Sequence, residues 1–288
     1  MTNTVPVFEL NTGTLMPQLG LGVWQASDEE TERVVRFAID EAGYRHIDAA
    51  RAYGNEEGVG RAIGSASVPR EDLFVTTKLW NSDHGRSRTL AAVDASLSRL
   101  GLDYLDLFLI HWPLGDRDRL VETWLAMEEI LESGKAQAIG VCNHEPHHLD
   151  WILEAGSVVP AVNQIELHPR LPQWVSRAFD DSHGIVTESW SPLGGTSNSG
   201  WGGDSKPNTL LTDETLVSIG EQYGKTPAQV MIRWHLQNGL VVIPKSTHEE
   251  RIRQNIDVLD FELTGADIER IAQLETGERV GYHPDDFV

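Results

Sequence analysis

Four side chains of the kind that move protons stand at comparable places along this chain. In "HIDAARAYGNE", residues 46–56, Asp48 closes a short apolar run and Tyr53 follows on a loop. Lys78 lies near the end of "LFVTTKLW", and His111 near the end of "YLDLFLIHWP". A buried carboxylate or ammonium is expensive alone and tolerable as a pair. An Asp48–Lys78 pair beside Tyr53 has a chemical use. Tyrosine titrates near ~10, and a neighbouring ammonium favours its phenolate. The expectation is therefore a lowered pKa at Tyr53 and a better proton donor near neutral pH. His111 faces the same point. A proton donor without a nucleophile suggests addition to a carbonyl. No side chain supplies a hydride, so a nicotinamide cofactor must. The plainer readings are a structural ion pair plugging a barrel mouth and a satisfied interior histidine.

Other residues suit such a cofactor. Asn143 and the "NQ" at 163–164 offer amides for a carboxamide, and Trp190 offers a face for a planar ring. The segment 191–211 is rich in Gly and Ser and too long for an ordinary connection. From Ser191 it can wrap a pyrophosphate with backbone N–H groups. "IPKSTHEER" gathers Lys245, Ser246 and Arg251 into an island of positive charge. Its plain reading is a solvated helix start; its functional reading is a phosphate clamp with Arg251 as the bidentate partner.

Three motifs are set aside. "HEPHH", 144–148, formally matches a zinc signature, but Pro146 belongs in a first helical turn and leaves His144 outside the helix. "GLGVWQ" lacks the last glycine of a dinucleotide fingerprint, and "GVGRAIG" has the wrong spacing. No metal is expected.

The elements that must position these residues alternate regularly. Eight short apolar runs read as strands: "QLGLGVW", "YRHIDA", "LFVTTKLW", "YLDLFLIHWP", "AQAIGVCN", "AVNQIELH", "GIVTESW" and "LVVIPKS". Helical segments lie between them. "DEETERVVRFAIDEAG" starts after the cap Ser27 and stops at Gly43, and "TPAQVMIRWHLQNG" has Pro227 in its first turn. "SRTLAAVDASLSRLG" and "DRLVETWLAMEEILESG" behave alike. This density of alternation implies a parallel sheet, and eight units fit one (β/α)₈ barrel spanning a single domain, 1–288. "VFELNTGTLMPQL" reads as a preceding hairpin. A barrel works at the C-terminal ends of its strands. Those ends are Trp24, Asp48, Lys78, His111, Asn143, Gln164, Trp190 and Lys245, all polar or aromatic and all converging on one mouth.

Composition narrows the partners. The formal charge is −21, from 44 acids against 23 bases, so nucleic acid and anionic membrane are poor partners. The single cysteine, Cys142, forms no intrachain disulfide. "MTNTVPVFEL" has neither a basic n-region nor an apolar h-region, and no run approaches a spanning helix. A cytoplasmic monomer without nucleic-acid or membrane partners is the expectation.

Three segments carry a resemblance. "GYRHIDAARAYGNEEGVG", "LSRLGLDYLDLFLIHWP" and "IPKSTHEERIRQN" resemble the three signatures of the aldo-keto reductases, and the likeness runs over nearly the whole chain. It implies the same (β/α)₈ TIM barrel, with an N-terminal β-hairpin and two extra helices, binding NADPH/NADP⁺ without a Rossmann domain. It implies that Asp48, Tyr53, Lys78 and His111 form a catalytic tetrad in which Tyr53 donates the proton and His111 orients the carbonyl. Cys142, Asn143 and Gln164 match the carboxamide site, and Trp190 the ring that stacks on nicotinamide. Ser191 and Leu193 match the pyrophosphate loop, Lys245, Ser246 and Arg251 a 2′-phosphate clamp, and Gln254 and Asn255 adenine contacts. Trp24, Trp80 and Trp112 match the substrate-pocket wall; taken alone, each reads as core.

The chain departs from the family at "CNH", 142–144, where Ser-Asn-Phe is usual, so Cys142 replaces a hydroxyl donor. The short C-terminus, "GERVGYHPDDFV", is similar to the prokaryotic branch that includes 2,5-diketo-gluconate reductases and is expected to leave less of a loop to shape the pocket. The reading is an NADPH-dependent reductase of small aldehydes or ketones, keto sugars and diketones included. The alternatives are a redox-sensing interaction subunit with little turnover and a barrel lyase using a Schiff-base lysine. The second is weakened because Asp48 keeps Lys78 protonated.

Overall fold

A computed structural model describes residues 4–195 and 208–287. The chain opens with an antiparallel hairpin, β1 (Val7–Glu9) and β2 (Leu15–Pro17). Eight strands follow: β3 (Leu21–Gly22), β4 (His46–Asp48), β5 (Phe74–Leu79), β6 (Leu105–Ile110), β7 (Ala136–Cys142), β8 (Val162–Glu166), β9 (Val186–Trp190) and β10 (Val241–Val242). They pair in parallel and in chain order. Bridges from Leu19 to Val242 and from Gly22 to Lys245 bring the last strand against the first and close the barrel.

Helices fill the crossovers. They are α1 (Asp28–Phe37), α2 (Glu56–Ser65), α3 (Arg86–Leu100), α4 (Arg117–Glu132), α5 (Pro146–Ala155) and α6 (Trp174–Ser182). Two more, α7 (Glu214–Tyr223) and α8 (Pro227–Gln237), lie between β9 and β10, and α9 (Glu249–Ile256) and α10 (Gly265–Ala272) follow β10. Among the described residues this is one helix per strand and two extra, as expected. The sequence signals act as read. Ser27 Oγ accepts from Glu30 N at 3.2 Å, and Thr226 with Gln229 forms a capping box ahead of Pro227. None of the described helices is long and apolar enough to cross a membrane.

The two-residue period of a strand sorts its side chains between barrel interior and helix layer. On β5, Val75 and Leu79 join the core beneath the helices, while Phe74, Thr76 and Lys78 alternate with them and point inward. The inward side chains stack in layers. An apolar cluster, Phe74, Leu107, Leu109, Ala138, Val162 and Val241, includes Leu10 and Met16 of the hairpin. Polar side chains interleave with it and continue to the mouth: His46 and Asp48 on β4, Thr76 and Lys78 on β5, Gln164 and Glu166 on β8, Glu188 on β9, with His46 in register with Phe74 and Lys78 with Leu109. All are buried.

Packing overrides helix propensity at two glycines of α2, Gly58 against the Asp28 carbonyl and Gly60 against α3. A Cβ on Gly60 would lie 2.3 Å from the Leu100 carbonyl oxygen of α3, whereas one on Gly64 meets nothing within 4 Å. Gly→Ala inside a helix ordinarily gains ~0.5–1 kcal/mol. Gly64→Ala should show that gain in urea unfolding and Gly60→Ala should lose stability. Equal gains would mean that α2 and α3 are not held at this distance.

Candidate active site

Strand β4 ends at Asp48, and a 3₁₀ turn over Arg51–Tyr53, closed by Gly54 in a left-handed conformation, turns Tyr53 toward the mouth. The register pairs Asp48 with Thr76, which puts Lys78 one inward position higher on β5. Lys78 Nζ donates to Asp48 Oδ1 at 2.6 Å and to the Ala49 carbonyl at 2.9 Å, and it lies 3.5 Å from the Tyr53 hydroxyl. Burial is the largest single influence and works against the Lys78 charge, but Asp48 first, then Tyr53 and Cys142, together outweigh it and hold the ammonium above the ordinary lysine range.

Tyr53 corrects the sequence reading. Burial pushes its phenol well above the ordinary value; Lys78 opposes this without overcoming it, and Asp48 adds to it. The hydroxyl therefore keeps its proton at any working pH. What Lys78 provides is a charge beside the oxygen once that proton leaves. His111 follows β6, and its ring lies edge-on to Tyr53 with centroids 5.8 Å apart. Burial, then Lys78, hold it far below the usual histidine range, so it is neutral. Its buried Nδ1 has no hydrogen-bond partner among the described residues.

The amides sit beside this group. Asn143 Nδ2 donates to the His111 carbonyl at 3.0 Å and contacts Cys142 Sγ at 3.2 Å. Its Oδ1 accepts from Trp190 Nε1 at 2.8 Å. Gln164 lies within β8 and not at its end. It donates through Nε2 to Asp48 Oδ2 at 2.8 Å and to Glu188 Oε2 at 2.7 Å. Cys142 Sγ is 3.7 Å from Gln164 Oε1, and burial keeps its thiol protonated. The thiol is thus shared between the two amides. Gln25, Asn143 and Ser191 all hold left-handed φ angles, of 57°, 63° and 48°. Such strain in non-glycine residues gathers at functional sites.

One cavity of about 570 Å³ joins these groups. Asp48, Tyr53 and His111 form its floor, followed by Cys142, Asn143, Gln164 and Trp190, then Ser191 and Leu193. Lys245, Ser246, Arg251, Gln254 and Asn255 line its far end, and Trp24 and Trp112 flank the floor. Two expected residues do not line it. Lys78 is sealed beneath Tyr53, and Trp80 instead meets the His111 ring edge-on at 5.2 Å. Among the described residues Arg251 has no ion pair or hydrogen bond, whereas Lys245 Nζ reaches the Gln25 carbonyl at 3.4 Å. Of the glycine-rich loop, residues 196–207 lie outside the described residues.

The C-terminal segment reaches the cavity. Glu166, at the end of β8, accepts from the backbone N–H of Val280 at 2.6 Å and of Gly281 at 3.0 Å. A Cβ on Gly281 would lie 2.6 Å from the Trp190 ring, so only glycine lets the tail pass that close. Val280 and Gly281 line the cavity, and the Phe287 ring stands 4.2 Å from Trp112. Sequence reasoning missed Glu166, Glu188 and this segment. The acids had a signal: both fall on the inward phase of their strands, at the period of Gln164 and Trp190.

"HEPHH" is as read: Glu145 caps α5, Pro146 starts it and His144 precedes it. His147, His148 and Asp285 nonetheless cluster within 4.8 Å. His148 Nδ1 accepts from Glu145 N at 3.2 Å, so the neutral ring carries its proton on Nε2 and has no lone pair for a metal there.

The pattern of the Aldo/keto reductase family matches residues 12–276. The chain is 54% identical to an aldo-keto reductase of Mycolicibacterium smegmatis, covering 98% of each chain. It is 50% identical to methylglyoxal reductase DkgA of Escherichia coli K12, again covering 98% of each. Among solved structures, a Gox0644 mutant in complex with NADPH superposes with a TM-score of 0.90 at 43% identity, over 99% of both chains.

The ion pair makes a stability prediction. Removing one partner of a buried pair costs ~3–5 kcal/mol, while removing both often costs little. Lys78→Met should lose most of that in urea unfolding, and Asp48→Asn/Lys78→Met should recover at least half. A single variant as stable as wild type would mean that water reaches the pair.

Proposed function

The chain belongs to the aldo/keto reductase family and is an oxidoreductase of it, and from that premise we propose that it reduces small aldehydes and ketones to alcohols with NADPH. The observation that carries this reading is one contact group. The Tyr53 hydroxyl lies 3.5 Å from an ammonium that Asp48 holds at 2.6 Å, on the floor of a cavity whose far end has an unpaired arginine among the described residues. The name of the E. coli relative makes an α-oxoaldehyde the first substrate to try, with keto sugars and diketones next.

The cavity fits the cofactor. Arg251 is available for a 2′-phosphate, with Lys245 and Ser246 beside it and Gln254 and Asn255 next to those. Ser191 and Leu193 line the stretch between, where a pyrophosphate belongs. Asn143 and Gln164 present amides for a carboxamide, Gln164 through its acceptor Oε1, with the Cys142 thiol beside them. Trp190 offers its face to the ring. Bound there, reduced nicotinamide supplies the hydride.

The remaining chemistry belongs to the chain. Neutral His111 donates an N–H to the carbonyl oxygen and orients it. Tyr53 gives its proton to that oxygen as negative charge develops. The Lys78 ammonium stabilises the phenolate left behind, and Asp48 keeps the lysine charged and in place. A Schiff-base role at Lys78 needs a neutral amine, which this pairing opposes. Trp24 and Trp112 border the substrate, and Trp80 acts on it through His111. The intact contact group favours an enzyme over a docking subunit with little turnover.

Tyr53→Phe should lower turnover by ~10²–10⁴-fold with NADPH affinity kept, because general acid catalysis is worth about that much. Steady-state rates and fluorescence titration check it; a variant with a third of the wild-type rate would remove Tyr53 from the role. For the clamp, a charge-assisted contact contributes ~1.5–3 kcal/mol. Arg251→Ala should therefore weaken NADPH about tenfold or more and leave NADH nearly unchanged. Equal losses for the two cofactors would refute it.

A further inference from the structure

Behind the catalytic pair the barrel holds a second carboxyl that the chemistry above does not use. Glu188 on β9 is completely buried. Its Oε2 accepts from Gln164 Nε2 at 2.7 Å, and the same Nε2 donates to Asp48 Oδ2 at 2.8 Å. Two acceptors on one side decide how the amide is turned. Its NH₂ faces the carboxyls, which leaves Oε1 toward Cys142 and the cavity.

The protonation of Glu188 follows from its other oxygen. Oε1 lies 3.6 Å from His46 Nε2 and has no hydrogen bond among the described residues. On its far side, the His46 ring places Nδ1 3.2 Å from the Pro17 carbonyl. A carbonyl only accepts, so Nδ1 carries the ring proton and Nε2 presents a lone pair. Burial holds His46 at about 4 and so neutral. An ionised Glu188 would turn a negative oxygen on that lone pair and stand one amide away from the Asp48 carboxylate. A protonated carboxyl meets neither repulsion.

We propose that Glu188 is a neutral glutamic acid and a positioning residue: it locks the Gln164 amide so that Oε1 is presented to the cofactor, and it leaves Asp48 to carry the negative charge that answers Lys78. The role of Gln164 toward the cofactor rests on the function proposed above; the protonation of Glu188 does not. Burial first, then Asp48, push the Glu188 carboxyl up to about 8, while Gln164 and Lys78 pull it down. The groups facing it from the packed strands are His46 and Asp48 on β4, Lys78 on β5, Cys142 on β7 and Gln164 on β8. Among them the Asp48–Lys78 ion pair carries the charge, and burial keeps His46 and Cys142 neutral.

Two variants and two readouts test this. Glu188→Gln keeps an acceptor for Gln164 and turns an N–H toward His46. Glu188→Ala removes the lock. The infrared spectrum of wild type at pH 7 should contain a protonated-carboxyl stretch that Glu188→Gln lacks. In fluorescence titration at pH 7, Glu188→Ala should weaken NADPH by about 2- to 12-fold, the value of one hydrogen bond, and Glu188→Gln should restore wild-type affinity. In wild type that carboxyl stretch should fade as the pH rises through about 8, where the group ionises. Thermal melts of both variants separate a lost lock from lost folding. An identical carboxyl stretch in the Gln variant, or a Gln variant as weak as the Ala variant, overturns the proposal. Wild type that binds no NADPH defeats the functional reading instead, and the infrared band still decides the state of Glu188.

Discussion

The structure turns on the 2.6 Å contact between Lys78 Nζ and Asp48 Oδ1, with both side chains out of water. Such a pair is a poor source of stability, because desolvation offsets most of the attraction. It holds only where geometry is good and remaining lone pairs find donors. Here the Ala49 carbonyl takes another lysine hydrogen, and the Gln164 amide supplies a donor to the second Asp48 oxygen. That requirement reaches outward. Gln164 needs Glu188 to fix its amide, and Glu188 needs the neutral His46 opposite. The apolar cluster of Phe74, Leu107, Leu109 and Val162, with Leu10 and Met16, packs among the polar groups of this layer and keeps them dry. A barrel built for stability alone would fill the layer with branched aliphatics. The polar floor is explained by what it does to Tyr53.

A second constraint acts from above. Trp190 is held at its indole nitrogen by Asn143 and at its ring edge by the backbone of Gly281, and Gly281 is fixed by Glu166. Asn143 in turn holds the His111 carbonyl. A single linked set thus runs from the tail to His111, and Asn143 at φ 63° is where it bends. The tail is short, yet it is part of the cavity wall.

Much of this was legible in the sequence. The eight strands, the hairpin and the mouth residues could be read because a parallel barrel puts its chemistry at strand ends and those ends were polar or aromatic. What was not legible depended on distance and solvent. Glu166 meets Val280 across 114 residues, and no local pattern announces that contact. Glu188 sits inside "GIVTESW" with a plain alternating pattern, and its neighbours come from four other strands. Tyr53 was read through its nearest charge, while burial proved the larger effect on its phenol. Trp80 was placed by resemblance on the pocket wall, but the turn after β5 puts its ring against His111 instead.

The account stands on carbonyl reduction at this floor, and isotopic labelling tests that most directly. The protein would be incubated with an α-oxoaldehyde and with NADPH deuterated on both hydrogens of its donating ring carbon, and the alcohol product examined by mass spectrometry. The account predicts one non-exchangeable deuterium per product molecule, on the carbinol carbon, with the hydroxyl hydrogen drawn from solvent by way of Tyr53. Alcohol formed without that deuterium, or no alcohol from any aldehyde, diketone or keto sugar, would contradict it.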